Sequence, residues 1–206
     1  MKNFSPAFPG SRRTSALVAT ILMAIWGEPA PLEAGTGDRL SHAPAASCIA
    51  NNRFIVVSRS GLAPGNDIFI RPTAAQGNTK TCAPGEKPGD FRIAGVGEAR
   101  HVLALDGNFL ILDEGTGPSI RNLLAVDLEA RREVWRSRYV PEPAPILSGH
   151  KIVFRKFLRL ARKSDCRNVR RLVLQSLTPL YVVRGELSLP ALAFKATGHP
   201  DCIAGQ

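Results

Sequence analysis

Residues 99–138 read ARHVLALDGNFLILDEGTGPSIRNLLAVDLEARREVWRSR, and the way apolar runs alternate with turn residues here decides the fold class. Residues 102–105 (VLAL) run into Asp106-Gly107-Asn108, and residues 109–112 (FLIL) run away from it. Asp-Gly is a strong hairpin signal, because both residues tolerate the positive φ that a two-residue turn demands. A loop with Gly115, Gly117 and Pro118 follows, and residues 122–126 (NLLAV) resume the apolar pattern. After a polar turn through 129–132, residues 133–139 (EVWRSRY) alternate apolar with polar, the period-2 signature of a half-buried strand. Together these features predict a four-stranded antiparallel meander.

Outward from that stretch the same grammar repeats. Upstream, residues 53–60 (RFIVVSRS) carry four apolar residues in a row, Phe54 to Val57, as expected of a strand covered on both faces. A second strand at 67–71 is stopped by Pro72, and a short one is expected at 91–93. Between them, residues 73–90 are polar and rich in Gly and Pro, a loop of uncommon length unless function or a staple explains it. Cys82 supplies the staple. Downstream, Pro141, Pro143 and Pro145 make an extended connector, and a turn at 148–150 opens a strand at 151–155. Strands are expected at 171–177 and 181–183, and a last pair at 187–189 and 192–194 is broken at Pro190. The expected class is all-β: antiparallel meanders of short strands arranged as a partial propeller, a sandwich or a small barrel, with at most one short helix near 155–163.

Composition agrees. The chain has 206 residues, 44% of them hydrophobic and 21% charged, a globular balance that fits one domain. Aromatics make up only 6%, so Val, Leu, Ile and Ala must fill the core. The formal charge of +10 draws the chain toward anionic surfaces.

Residues 1–34 have the grammar of a cleaved export signal. Lys2, Arg12 and Arg13 give a basic start, and 16–26 is an apolar run shorter than the ~20 residues a membrane span needs. Leu32-Glu33-Ala34 is the expected cleavage site. Ser11-Arg12-Arg13 partly resembles a twin-arginine signal, although Ser15 and Ala16 stand where that family prefers Phe and Leu; ordinary secretion is the expectation. Cleavage removes three bases and two acids (Glu28, Glu33), leaving +9 of the original +10. Residues 35–47 then form a loose Pro/Ala/Gly lead, and 48–206 a single β-domain without a transmembrane span. The expected location is the periplasm or the exterior.

Four cysteines, Cys48, Cys82, Cys166 and Cys202, follow the signal. An even number in an exported chain implies disulfides. Of three possible pairings, Cys48–Cys82 and Cys166–Cys202 are preferred, each tying one end of the domain to a nearby strand. Zinc is disfavoured, because no two cysteines have the close spacing of a metal site.

Gly65-Asn66-Asp67-Ile68-Phe69-Ile70 aligns with Gly107-Asn108-Phe109-Leu110-Ile111-Leu112 and with Gly149-His150-Lys151-Ile152-Val153-Phe154, each 42 positions apart. Residues 123–135, with Leu-Leu-Ala-Val-Asp-Leu and then Glu-Val-Trp, resemble a blade of the bacterial β-propellers of the WD or PQQ-like type, whose units repeat at about 40–45 residues. The resemblance covers residues 100–138 and the recurring turn, and no hallmark dipeptide recurs. It implies four-stranded units. The chain is long enough for three or four of them, whereas propellers typically close with four to eight.

Candidate acids are Asp67, Asp90, Asp106, Asp113, Glu114 and Asp127. Asp106 is explained by its turn and Asp127 by local backbone bonds before the next one. Residues 113–117 (DEGTG) lack the alternating oxygen ligands of a calcium loop. His42, His101, His150 and His199 are scattered and expected to be solvated. No nucleophile elbow, phosphate loop or dinucleotide fingerprint is present, so no cofactor, metal or catalytic residue is indicated and the expectation leans away from an enzyme. A dispersed triad leaves no local trace, so a small secreted hydrolase is the alternative.

The charged stretch is 151–171, KIVFRKFLRLARKSDCRNVRR. It holds Lys151, Arg155, Lys156, Arg159, Arg162, Lys163, Arg167, Arg170 and Arg171 against one acid, Asp165. Phe154, Phe157, Leu158 and Ala161 would share one face of a helix, with arginines opposite, fit for an anionic surface. The other reading is a strand over 152–157 and then a basic loop held by Cys166. The functional expectation is a non-enzymatic binding module whose basic patch meets an anionic envelope polymer or lipid surface. Nucleic acid is not an expected partner, the protein partner is left open, and a structural or assembly role through an exposed sheet edge is a third reading.

Overall fold

The computed structural model describes residues 46–60, 64–73, 82–83, 85–94 and 98–206. The expected export signal and all but the end of the lead, with His42, lie outside the described residues. The described part is all-β with one short helix, and all its strand pairings are antiparallel.

The first sheet runs β1 (Ala46–Ala50), β2 (Phe54–Ser60), β3 (Asn66–Pro72) and β4 (Phe91–Ala94) in simple order. The apolar run of β2 is covered on both faces as its sequence predicts. Phe54 and Val56 join Ile68 and Ile70 in the main core, while Ile55 and Val57 pack with Phe69 and the flank of Cys48 on the other side.

The predicted central meander is β5 (Arg100–Asp106), β6 (Phe109–Glu114), β7 (Arg121–Asp127) and β8 (Arg132–Val140). Its first hairpin falls one residue later than Asp-Gly alone implies. Asp106 pairs with Phe109, and Gly107 (φ 55°) and Asn108 form the turn. Glycine in the first of two turn positions is the type II′ arrangement, which matches the twist of the flanking strands.

The third meander is β9 (Ile146–Ser148), β10 (Lys151–Leu160), β11 (Thr178–Ser188), β12 (Ala193–Ala196) and β13 (Asp201–Gly205), with helix α1 (Val169–Leu174) between β10 and β11. It is hydrogen-bonded to β8 only at Arg155↔Val140 and Lys156↔Tyr139. That narrow corner lets the sheet turn. β12 and β13 share one edge of β11, beside its two halves. The strand order ends at β5 and β12, so no barrel closes.

The central meander is therefore packed on both sides. Leu110, Leu112, Leu124 and Val126 face β2 and β3, while Ile111, Leu123 and Ala125 face Ile152, Phe154, Leu187 and Leu189. The sparse aromatics gather on this second side, where Phe154 meets Trp135, Tyr139 and Phe194 at centroid distances of 6.0, 6.3 and 5.4 Å. Gly185 makes room for the last of these: a Cβ there would lie 2.4 Å from the Phe194 ring. The recurring glycines Gly65, Gly107 and Gly149 all have positive φ (93°, 55° and 57°) and stand just before β3, β6 and β10. The 42-residue spacing thus marks one turn in each meander, although β3 is third in its meander and β6 and β10 are second.

Three expectations are corrected. Residues 155–163 form no helix: they lie mostly in β10, whose pairing with β11 over residues 151–160 outweighs the helical spacing, and a bulge near Phe157 buries both Phe154 and Phe157. The helix falls instead at Val169–Leu174, where the sequence reads as a strand from 171, because Val169 and Leu172 at i, i+3 both find burial. The strands expected at 181–183 and 187–189 are one, β11, which starts before Pro179. The short strands β1 and β9 carried no signal strong enough to predict them.

Both disulfides join the expected partners, with Cα–Cα distances of 5.9 Å (Cys48–Cys82) and 6.1 Å (Cys166–Cys202). They close intervals of 34 and 36 residues, for which a chain-entropy estimate gives roughly 3–4 kcal/mol each. Disulfides persist in oxidising compartments. Among the described residues no helix is long and apolar enough to cross a membrane.

The β3–β4 connection is held a second time by a buried ion pair that the sequence did not reveal. Arg71 reaches Asp90 through Nε (3.0 Å) and Nη2 (2.8 Å), and Nη2 also donates to the Gly85 carbonyl at 2.9 Å. Both side chains are 1% exposed. Burial pushes the Asp90 carboxyl up, but the Arg71 hydrogen bonds and the Lys87 amide outweigh it and hold it below the usual carboxylate value. Breaking such a pair from one side strands a buried charge. Asp90→Asn is expected to lower stability by about 3–5 kcal/mol in urea unfolding, and Arg71→Met with Asp90→Leu to recover part of that loss.

Candidate functional site

The basic stretch 151–171 does not form one surface. Lys151 begins β10 and Leu160 ends it, ~30 Å away at about 3.3 Å per residue. Lys151 pairs with Glu186 at 2.9 Å. Arg155 donates to the Glu142 carbonyl at 3.2 Å, and Lys156 lies 4.9 Å from the centre of the Phe194 ring. These three are spent along the strand. Arg159, at the far end, stacks on Tyr181 at 4.5 Å and grips Asp165 through both Nη atoms, with Nη2 at 2.7 Å from Oδ1.

Beyond Arg159 the chain makes a tip. The Ala161 amide donates to the Pro179 carbonyl at 2.9 Å, and the Arg162 amide donates to Asp165 at 2.6 Å. Cys166 is joined to Cys202 of β13, and Asn168 Nδ2 donates to the Cys202 carbonyl at 3.3 Å. Helix α1 follows and buries Val169 and Leu172. Asp165 therefore organises the turn, and the disulfide clamps it to the sheet.

What remains on this tip is unneutralised cation. Among the described residues no carboxylate lies within ion-pair distance of the Lys163, Arg167, Arg170 or Arg171 side chains, and Arg162 meets Asp165 through its backbone. Arg162, Lys163 and Arg170 line a groove of about 500 Å³ whose other walls include Leu160, Val173, Leu174 and Pro179. Leu160, Val173 and Leu174 are 58%, 59% and 77% exposed. The arrangement is an apolar trough with a cationic rim.

The other candidate acids are committed elsewhere. Asp113 accepts the Tyr139 hydroxyl at 2.7 Å and pairs with Arg121 at 3.0 Å. Burial first, and then that bond to a carboxylate, pushes the Tyr139 hydroxyl well above its ordinary value. Burial also works against the Glu114 charge, but hydrogen bonds from Arg136, Arg100 and Asn122 prevail and keep its carboxyl below the usual value. Asp67 pairs with Arg59 at 2.8 Å, and Asp127 accepts the Glu129 and Ala130 amides in its turn. Among the described residues no three His, Cys, Asp or Glu side chains converge as a metal set.

Asp106 does more than close its hairpin. Its two oxygens lie 3.0 and 2.9 Å from His150 Nδ1, so the β5–β6 turn is tied to the β9–β10 turn. His150 lines a second cavity, of about 530 Å³, together with Ser148, Glu186 and Ser188. No serine hydroxyl hydrogen-bonds the imidazole among the described residues. The pairing joins residues 44 apart, which no local pattern could signal. His101 lies on β5 and His199 is exposed.

Comparison with known protein families, with characterised sequences and with solved structures finds no match to this chain. The likeness of residues 100–138 to propeller blades stays one of sequence pattern. The chemistry of the tip must carry the functional conclusion.

The Asp165 clamp gives a pH test. The Arg159 hydrogen bonds, and then the Arg162 amide, hold its carboxyl down at about 2. Because the folded-state value is depressed, the ordering of the tip is complete above the ordinary value of 3.8 and is lost as pH falls through about 2. A carboxyl-carbon NMR titration of Asp165 is expected to centre near 2, and Asp165→Asn to expose the 162–168 turn to protease at neutral pH.

Proposed function

We propose that this is an exported, periplasmic or secreted, disulfide-braced β-domain that acts by binding, its basic tip at 162–171 meeting an anionic component of the cell envelope. The observation that carries this is the set of cations without carboxylate partners, gathered on a segment that a disulfide holds rigid. Elsewhere in the domain most arginines are matched. Among the described residues Arg53, Arg59, Arg71, Arg92, Arg100, Arg121 and Arg136 each meet an acid, and the arginines that do not (Arg131, Arg132, Arg138, Arg155 and Arg184) are spread over one turn and three strands, so the tip is set apart by the closeness of its unmatched cations within one short segment. Rigid presentation lowers the entropy lost when the cations are brought to phosphate-like groups. Arg159 is excluded from the binding set, since Asp165 already neutralises it.

Each cation near an anionic lipid surface contributes about 1 kcal/mol, roughly fivefold in affinity. Replacing Arg162, Lys163, Arg170 and Arg171 with Gln is therefore expected to weaken retention on anionic vesicles by about two to three orders of magnitude. Raising salt should have the same effect on the parent chain, because exposed charges are screened. Undiminished retention of the fourfold variant would remove this role.

A second reading rests on a separate observation, the oriented His150–Asp106 pair in a cavity that also holds Ser148 and Ser188. A carboxylate on Nδ1 orients an imidazole for general-base work at its other nitrogen. Hydrolysis of small esters that His150→Ala abolishes would establish it. Equal turnover by parent and variant, or none by either, would dismiss it.

A further inference from the structure

We infer that the anionic component is a lipid leaflet, and that Leu174, Val173 and Leu160 enter its acyl zone while Arg162, Lys163 and Arg170 rest among the headgroup phosphates. This deepens, and rests on, the binding role proposed for the tip. Seven large hydrophobic side chains are exposed among the described residues, and four of them (Leu158, Leu160, Val173 and Leu174) belong to this end of β10 and to α1. Such clustering marks an interaction surface, whereas single exposed apolar residues are ordinary.

The rim decides what kind of surface. A second protein could bury the leucines, but it would have to answer several unpaired cations within one groove. A soluble polyanion would satisfy the cations and leave Leu174 in water. A leaflet of anionic lipid satisfies both at once, because its charge and its hydrocarbon are stacked at a fixed separation. Long cationic side chains reach up to that charged layer while their stems follow the apolar residues down. The two groups are also held at fixed relative positions: α1 carries Val173, Leu174 and Arg170, β10 carries Leu160, and the segment joining them is locked by Cys166–Cys202 and by the Asp165 clamp.

The test places a reporter at the proposed depth. Leu174→Trp in the exported chain proposed here (residues 35–206), with the parent as reference so that Trp135 cancels, is titrated with vesicles of phosphatidylcholine and phosphatidylglycerol and, separately, with inorganic polyphosphate. Expected are a blue shift in the emission of the introduced indole on the vesicles, quenching by lipids brominated along their acyl chains, and neither response on polyphosphate. Leu174→Gln should lower vesicle affinity about tenfold, the scale set by burying one leucine, and leave polyphosphate binding unchanged. Vesicle binding without shift or quenching would overturn insertion while the charge-driven role stands. Loss of binding to both probes on removing the four cations, with no effect of Leu174→Gln, would also leave only that role. Concentration-dependent self-association abolished by Leu174→Gln would assign the trough to a second copy of the chain and overturn the inference.

Discussion

The inner two strands of the central meander, like β2, have no polar face. β6 and β7 carry apolar side chains on both sides of their pleat, Leu110, Leu112, Leu124 and Val126 on one and Ile111, Leu123 and Ala125 on the other. A sheet of this kind must be covered twice. The first sheet supplies one cover, and the third meander supplies the other by turning away from β8 after only two paired positions. The three-layer stack, the corner at β8–β10 and the gathering of aromatics around Phe154 all follow from that double demand. It also explains how a chain so poor in aromatics fills its interior, since branched aliphatic side chains pack well between pleated surfaces.

The sequence was most legible where the rule is local. The alternation in 133–139, the turn after Asp106 and the four-residue apolar run of β2 each report their own strand, and the cysteine intervals report the staples. It was least legible where a partner far along the chain decides the outcome. The spacing of Phe154, Phe157, Leu158 and Ala161 suits a helix as well as a strand, and only the presence of β11 alongside selects the strand. Arg71 and Asp90 look like ordinary loop-edge charges until the fold buries them against each other. Asp106 reads as a turn residue, which it is, but its link to His150 crosses two meanders.

The tip was half visible. The charged run 151–171 takes in more residues than the cluster that lacks carboxylate partners, because a sequence cannot say which cations are already answered. The structure divides them by context: those on β10 meet an acid, a carbonyl or a ring, and those after Leu160 have no carboxylate within reach of their side chains among the described residues. The apolar trough beside those cations is hidden in the sequence for a different reason. Val173 and Leu174 belong to a stretch that reads as a strand, and only as the outer side of a six-residue helix do they come to rest beside Leu160.

The two disulfides join cysteines that are neighbours in order, first with second and third with fourth, so neither loop encloses the other. A chain threaded amino-terminus first into an oxidising space would present Cys48 and Cys82 before the later thiols emerge. Thiols oxidised in order of arrival then give the native connectivity directly, with no need for an isomerase to undo crossed links. The second link must wait for β13, which carries Cys202 and follows every other strand, so its closure would come after the rest of the sheet has been delivered.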